Sequence, residues 1–485
     1  MRRLIRLAIG LAVLPVSALH AQTTDSYNSF SQTNLVADTD DFNAEFVNPD
    51  MVDAWGIALR PPGAGGHIWV NDAVGGTSLE YIGDVAGMPL HQDGLTKVTL
   101  HQPHFTDHGY AFATGIVYNA AKDLAGQPVE FPVPNYNVTE PGQVIQPGDT
   151  TQTGQPAQDV TNPNAPVTLP NTTGSSAFVF VTEDGCINCW RSNTQTDMTD
   201  VPLVVDYSKT STYFPYAANC VFTGCAMTTN AAGSPAYQHN GAGTTGNLLF
   251  AADQRNNVIE VFENRKEPTD TSTNAWTDVT TSFHFQALSH VGDLHVFNIQ
   301  DIAGHLYVTY AEFNPDGDEG QEQVNGQGLG HVAEFNEDGT LVREFNDGAN
   351  TPNGLLNQPW GVAIAPAGFG KFGGDVLVAD FGSGNIMAFD PNTGNFVDYL
   401  RDSTGTPISI DGIWGLTFGN GVSLGDANTL YFTAGPNSEQ DGVFGKLTFD
   451  PMPTDTPVMP PVALALMGMM LFLVGAAVWP RLRMG

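Results

Sequence analysis

The sequence predicts an all-β fold: a six-bladed β-propeller closed by an N-terminal strand and followed by a C-terminal transmembrane or sorting helix. Three observations carry this. A phrase recurs as Asp53-Ala-Trp-Gly-Ile-Ala-Leu, Pro359-Trp-Gly-Val-Ala-Ile-Ala and Gly412-Ile-Trp-Gly-Leu-Thr-Phe, with weaker copies at Ala113-Thr-Gly-Ile-Val-Tyr, Phe222-Thr-Gly-Cys-Ala-Met and Val296-Phe-Asn-Ile-Gln. Each copy is followed by a second apolar run that ends at an acidic or small residue, as in His67-Ile-Trp-Val-Asn-Asp and Asp375-Val-Leu-Val-Ala-Asp. Strand pairs repeated at roughly 45–60-residue spacing mark radial repetition, and six of them count the blades. Finally, the last repeat, from Trp414 to Phe449, shows only three strands. An alternating stretch near residues 32–37 is therefore expected to supply the missing strand, which removes the exposed edges of a linear array.

Taken in chain order, residues 1–21 read as a secretory signal peptide. Met1-Arg-Arg-Leu-Ile-Arg is basic, residues 7–16 are apolar, and Leu19-His-Ala is a small-residue cleavage site. Residues 22–450 form the propeller, with blades near 55–100, 112–208, 221–283, 296–348, 358–401 and 413–449. Third strands such as Val258-Ile-Glu-Val-Phe and Ile386-Met-Ala-Phe alternate enough to give each sheet two packed faces. Blade two holds an insertion at about 122–176, rich in Pro, Gln, Asn and Thr. It carries too little apolar surface for a core of its own and is expected as a long surface loop or disordered segment. A Pro-rich linker follows at 451–461. Residues 462–485 then form the C-terminal segment, in which 462–479 are uncharged and apolar and long enough to span a bilayer. Arg481 and Arg483 behind it place that end in the cytoplasm and the propeller outside.

The chain is strongly acidic, with 51 Asp and Glu against 17 Lys and Arg and a formal charge of −34. That balance argues against nucleic acid, whose phosphates require cationic neutralisation. It suits an exported protein at the cell envelope, at its surface or in the matrix around it.

Three resemblances bear on these readings. The tail, with Pro457-Val-Met-Pro-Pro, an apolar helix and two arginines, resembles the PEP-CTERM group of bacterial sorting signals, although that group usually has Pro-Glu-Pro. The resemblance implies a membrane protease that processes the tail. Asn48-Pro, Thr182-Glu-Asp-Gly, Phe297-Asn-Ile-Gln and Gln358-Pro-Trp-Gly-Val-Ala resemble an uncharacterised family of secreted bacterial propellers, over most of residues 30–450. The repeat pattern is broadly similar to six-bladed NHL-repeat and gluconolactonase-like propellers. These resemblances imply a fold and confer no activity.

Candidate chemistry lies in three places. Cys186, Cys189, Cys220 and Cys225 are the only cysteines. In an exported chain they are expected as two disulfides tying blade two to blade three, with a four-thiolate zinc site as the alternative. A redox-active pair is disfavoured, since a strand points residues i and i+3 to opposite faces. His101, His104 and His108 precede the inner strand of blade two, and His290 and His295 that of blade four. Loops entering inner strands converge on one channel mouth, so these imidazoles either bind a transition metal there or are solvated loop residues. Asp316, Asp318, Glu319 and Glu322 offer hard oxygen ligands to calcium, or form a solvated acidic loop.

The bland reading holds elsewhere. Asp72, Asp184, Asp253 and Asp380 precede turns and are expected to cap them. Trp55, Trp360 and Trp414 are expected to pack, and Gly56, Gly361 and Gly415 to let inner strands approach closely. No nucleophile elbow, Walker loop, dinucleotide fingerprint or zincin motif is present. The leading functional expectation is thus a non-catalytic binding or scaffold propeller with an unknown surface or matrix partner. The alternative is a metal-dependent hydrolase, lactonase, lyase or redox protein with its site at the channel mouth.

Overall fold

Six antiparallel sheets stand around a common axis in the computed structural model. It describes residues 29–101, 110–119, 131, 143–144, 157–159, 166–167, 175–191, 199–207, 220–228, 247–263, 277–289, 291–314, 324–347 and 354–451. The inner strands are Ala54–Leu59, Ala113–Tyr118, Phe222–Met227, His295–Ile302, Pro359–Ile364 and Ile413–Phe418. Each is followed outward by a second strand, ending at Asp72, Thr182, Asp253, Ala311, Asp380 and Ala434 in turn. These are the repeated phrases of the sequence in their expected order.

The ring closes through its first strand. Ser29–Ala37 pairs antiparallel with Val443–Asp450, from Ser29 opposite Asp450 to Ala37 opposite Val443, and so becomes the fourth strand of blade six. Phe46–Val47 then adds in parallel to its outer edge. Phe30 on the closing strand reaches sideways into blade five, its ring 4.7 Å from Phe369 and 5.9 Å from Phe372. The edge of blade one is covered in a similar way, by Asp200–Val201 running parallel to Lys97–Leu100. Covered edges deny other chains a template for strand addition.

The core lies between neighbouring sheets. Where blades one and two meet, Trp69 stacks on Phe178 at 4.4 Å and tilts against Trp190 at 4.8 Å. Nearer the axis the blades approach too closely for side chains, and glycine is required. A Cβ on Gly56 would lie 2.3 Å from the Thr114 carbonyl of blade two, and one on Gly361 2.3 Å from the Trp414 carbonyl of blade six. At this point the inner strand of blades one, five and six is also out of register with its neighbour.

Most of the insertion expected at about 122–176 as a long surface loop or disordered segment lies outside the described residues. Short strands at Gln143–Val144, Ala157–Asp159 and Pro166–Val167 form a small sheet. Phe131 is fully buried against the blade-two core, and its carbonyl accepts the Ser176 N–H at 2.9 Å.

Among the described residues no helix is long and apolar enough to cross a membrane. The expected signal peptide and the C-terminal segment at 462–485 lie outside the described residues, as does the linker beyond residue 451.

Candidate functional site

All six inner strands start at one end of the axis, and this end is the channel mouth. The residue before each conserved-spacing glycine or asparagine faces its counterparts there: Trp55, Thr114, Thr223, Phe297, Trp360 and Trp414 in blade order. The aromatic members fill the axis. Trp55 and Trp414 stack at 3.9 Å, Phe381 stacks on the other side of Trp414 at 4.0 Å, and Trp360 meets Trp414 edge-on at 5.9 Å. Phe297 adds a further edge contact to Trp414 at 5.8 Å. Trp55 and Trp414 are 0% exposed and Trp360 4%, so these rings pack, as expected, and offer no face to a sugar.

The polar members bind backbone instead. Thr114 donates to the Phe222 carbonyl at 2.6 Å, Thr223 to the Phe297 carbonyl at 2.6 Å, and the Asn298 amide to the Trp360 carbonyl at 2.8 Å. Trp360 Nε1 closes the circuit on the Thr223 carbonyl at 2.9 Å.

The acids at the mouth are structural clamps. Asp72 accepts the backbone N–H of Val52 at 3.3 Å and of Gly75 at 2.9 Å, and the Thr77 hydroxyl at 2.8 Å. Asp380 accepts the Asn357 N–H at 2.7 Å, Asp253 the Val221 N–H at 3.1 Å, and Asp184 the Phe112 N–H at 2.8 Å. Each holds the loop that enters the inner strand of its own blade. Burial is the main cause that pushes the Asp72 carboxyl up to about 7 and that of Asp380 up to about 8, against the hydrogen bonds that pull both down.

Asp53 is the residue that sequence reasoning missed. It begins the repeated phrase at φ 54°, fully buried, and its Oδ1 accepts the Trp414 indole N–H at 3.0 Å. Its Oδ2 is buried with no hydrogen-bond partner. Burial first, and the charge of Glu439 second, hold this carboxyl well above the usual range. Glu439 ends the turn Pro436–Glu439, in which Asn437, Ser438 and Glu439 all have left-handed φ of 57°, 57° and 64°. Three such residues in a row are costly and mark a segment held in place by its surroundings. The signal that could have pointed to Asp53 is its place directly before the repeated Ala-Trp-Gly.

The expected histidine site is not assembled among the described residues. His295 does reach the mouth, but its Nδ1 is bonded to the Gln254 carbonyl at 2.6 Å and its ring stacks on Phe313 at 5.0 Å. His101 follows the outermost strand of blade one, where its backbone is tied to Val201 and Asn188. His104, His108 and His290 lie outside the described residues, as do the calcium candidates Asp316, Asp318, Glu319 and Glu322.

The cysteine expectation is corrected. All four thiols are buried and unbridged. Cys189 and Cys225 are neighbours in the core between blades two and three, whereas Cys186 lies 3.7 Å from the Asp184 carbonyl and Cys220 receives the Asn256 amide at 3.7 Å. The strand geometry turns Cys186 and Cys189 to opposite faces, so no four-thiolate cluster forms. Instead, Cys220 groups with Asp253 and Glu260, the single arrangement of metal-ligand type among the described residues.

No family model matches the chain. Two uncharacterized proteins of Acanthamoeba polyphaga mimivirus are each 37% identical to it over 153 residues, 32% of this chain and 35% and 38% of theirs. The match thus spans little more than a third of the length of these curated relatives, and it does not show the bacterial family that the motifs resemble. Among solved structures, virginiamycin B lyase from Staphylococcus aureus aligns over 87% of this chain and 99% of its own, at 13% identity and a TM-score of 0.35. YCF48 bound to D1 peptide aligns over 88% and 98%, at 11% identity and a TM-score of 0.36. At these values neither likeness bears on function.

Proposed function

We propose that the protein is a non-catalytic binding propeller, exported and displayed at the cell envelope or in its matrix, with a basic partner at the channel mouth. The observation that supports this is the closed axis. Trp55, Trp360, Trp414 and Phe297 fill the axis, and Asp72 and Asp380 beside them hold backbone N–H groups of the entering loops. Among the described residues, half-buried Val74, Tyr110 and Phe381 pack against the aromatic cluster, and half-buried Phe313 stacks on His295 and follows Glu312 in sequence. Aromatic faces next to acids suit the cationic heads and apolar stems of Lys and Arg. The formal charge of −34 would steer such a partner in from solution. Export rests on the basic and apolar start of the sequence, and display on its C-terminal apolar run.

The test is titration of the full chain with an oligo-arginine peptide free of aromatics, followed through tryptophan fluorescence. Saturable binding that weakens at least tenfold in Phe381→Ala supports the reading. Binding unchanged in that variant, or absent at low salt, overturns the mouth as the site. The metal-dependent alternative keeps one residue at the mouth, His295. It predicts about one transition metal per chain that is lost in a His108→Ala/His295→Ala double variant.

A further inference from the structure

Blade three contains a buried group of acids that the binding reading does not use. Cys220 lies in the turn before the inner strand, Asp253 ends the second strand, and Glu260 sits in the third strand opposite Ala251. The Cys220 sulfur and one oxygen from each acid lie within 4.8 Å of one another, and all three residues are buried.

Their hydrogen bonds leave room for a ligand. Asp253 Oδ1 accepts backbone N–H groups of Val221 and Asn256 at 3.1 and 3.2 Å, and Oδ2 the Asn256 amide at 2.6 Å. Those donors orient the carboxylate and fill both lone pairs of Oδ1, so Oδ2 is the oxygen that keeps a lone pair for a ligand. Glu260 Oε2 accepts the Thr280 hydroxyl at 2.6 Å, whereas Oε1 is buried with no partner in a residue only 1% exposed. Tyr207 of blade two and Asp278 cover the group, joined to each other at 3.1 Å. Among the described residues no Lys, Arg or His pairs with Asp253, Glu260 or Asp278. Ionising more than one of a thiol and two carboxyls buried together without a cation is costly, and a bound metal would offset that cost.

We propose that Cys220, Asp253 and Glu260 bind one zinc ion, through the Cys220 thiolate and one carboxylate oxygen each from Asp253 and Glu260. Coordination releases to solvent the thiol proton and any proton that the Asp253 or Glu260 carboxyl holds. The ligand set decides the metal: calcium and magnesium avoid thiolate, and copper(I) seeks only soft ligands, but zinc accepts sulfur and oxygen together. Ligands on one zinc stand about 3–4 Å apart, given bonds of about 2.0–2.3 Å, so binding draws the three groups together by about 1 Å. The free Glu260 oxygen is the group with most to gain. A metal here ties the loop between blades two and three to the sheet of blade three.

The full chain, stripped by chelator, is titrated with zinc against a chromophoric competitor, and with cobalt(II) for its thiolate absorption band. One equivalent of zinc is expected, weakened at least tenfold in Glu260→Gln and in Cys220→Ser, with Cys186→Ser unchanged. Glu260→Gln keeps the size of the side chain and an acceptor for Thr280, and near-ultraviolet circular dichroism checks its fold. Should Cys220→Ser fail to fold, the wild-type cobalt spectrum decides alone. No stoichiometric zinc, no thiolate band, or affinity unchanged in Glu260→Gln would each overturn the site.

Discussion

The two halves of the propeller solve one packing problem in different ways. Blades one, five and six put tryptophan at the axis and glycine behind it, so volume fills the channel: Trp55 and Trp414 stack at 3.9 Å. Blades two and three put threonine in the same place, and both hydroxyls donate to the carbonyl of the next inner strand at 2.6 Å. Blade four mixes the two, with Phe297 toward the axis and the Asn298 amide bonded to Trp360. The difference teaches that the repeat conserves a backbone approach and leaves the filling free. A ring of six tryptophans would overfill the axis, and a ring of six threonines would leave a void.

Trp414→Ala should have the largest effect, because it strikes the half held by volume. Its ring touches Trp55, Trp360, Phe297 and Phe381, and its N–H is the donor to buried Asp53. Removal of a fully buried tryptophan costs about 3–5 kcal/mol. Denaturant unfolding should show that loss, with the midpoint lowered at unchanged slope. A loss below about 1 kcal/mol would mean that the plug does not hold the ring together.

Thr223→Val tests the other half. The substitution keeps shape and removes the hydroxyl, which leaves the Phe297 carbonyl without its donor. A buried acceptor stripped of its partner costs about 1–3 kcal/mol. The same measurement should place this variant between wild type and Trp414→Ala. An equal cost for the two would erase the distinction between volume and hydrogen bonding.

The propeller was legible because its signals are local and repeated. Trp-Gly at the inner strand and the apolar run after it recur in order, and the three-stranded final repeat pointed to residues 32–37 as the closure, which the structure places at Ser29–Ala37. The acid group of blade three was not legible, for a physical reason. Glu260 stands in Val258-Ile-Glu-Val-Phe, where alternation reads it as the polar, outward residue of a half-buried strand. It is buried because Thr280 and the loop bearing Cys220 cover that face, a fact of tertiary packing that no spacing encodes. Asp53 hid in a similar way: its partner Trp414 lies at the other end of the chain, brought near only by closure of the ring.

The smallest effect concerns the clamps, and it distinguishes protonated from charged acids. Asp72 and Asp380 end second strands in blades one and five, on the tryptophan half, while the same place in blade two is Thr182, which cannot titrate. Their neighbours are acids: Asp50 raises Asp72, and Asp347 raises Asp380. With carboxyls pushed up to about 7 and about 8 from an ordinary 3.8, the folded state binds more protons than the unfolded state between those values. The stability they contribute is therefore fully present below the ordinary value and is lost as pH rises through about 7 and about 8. Unfolding free energy measured from pH 5 to pH 9 should fall with pH, and Asp380→Asn should flatten that slope, since its amide never ionises. A stability that stays flat over the same range would show that these carboxylates are already charged when folded, so that the loops are clamped by anions, and the burial argument for the mouth would fail.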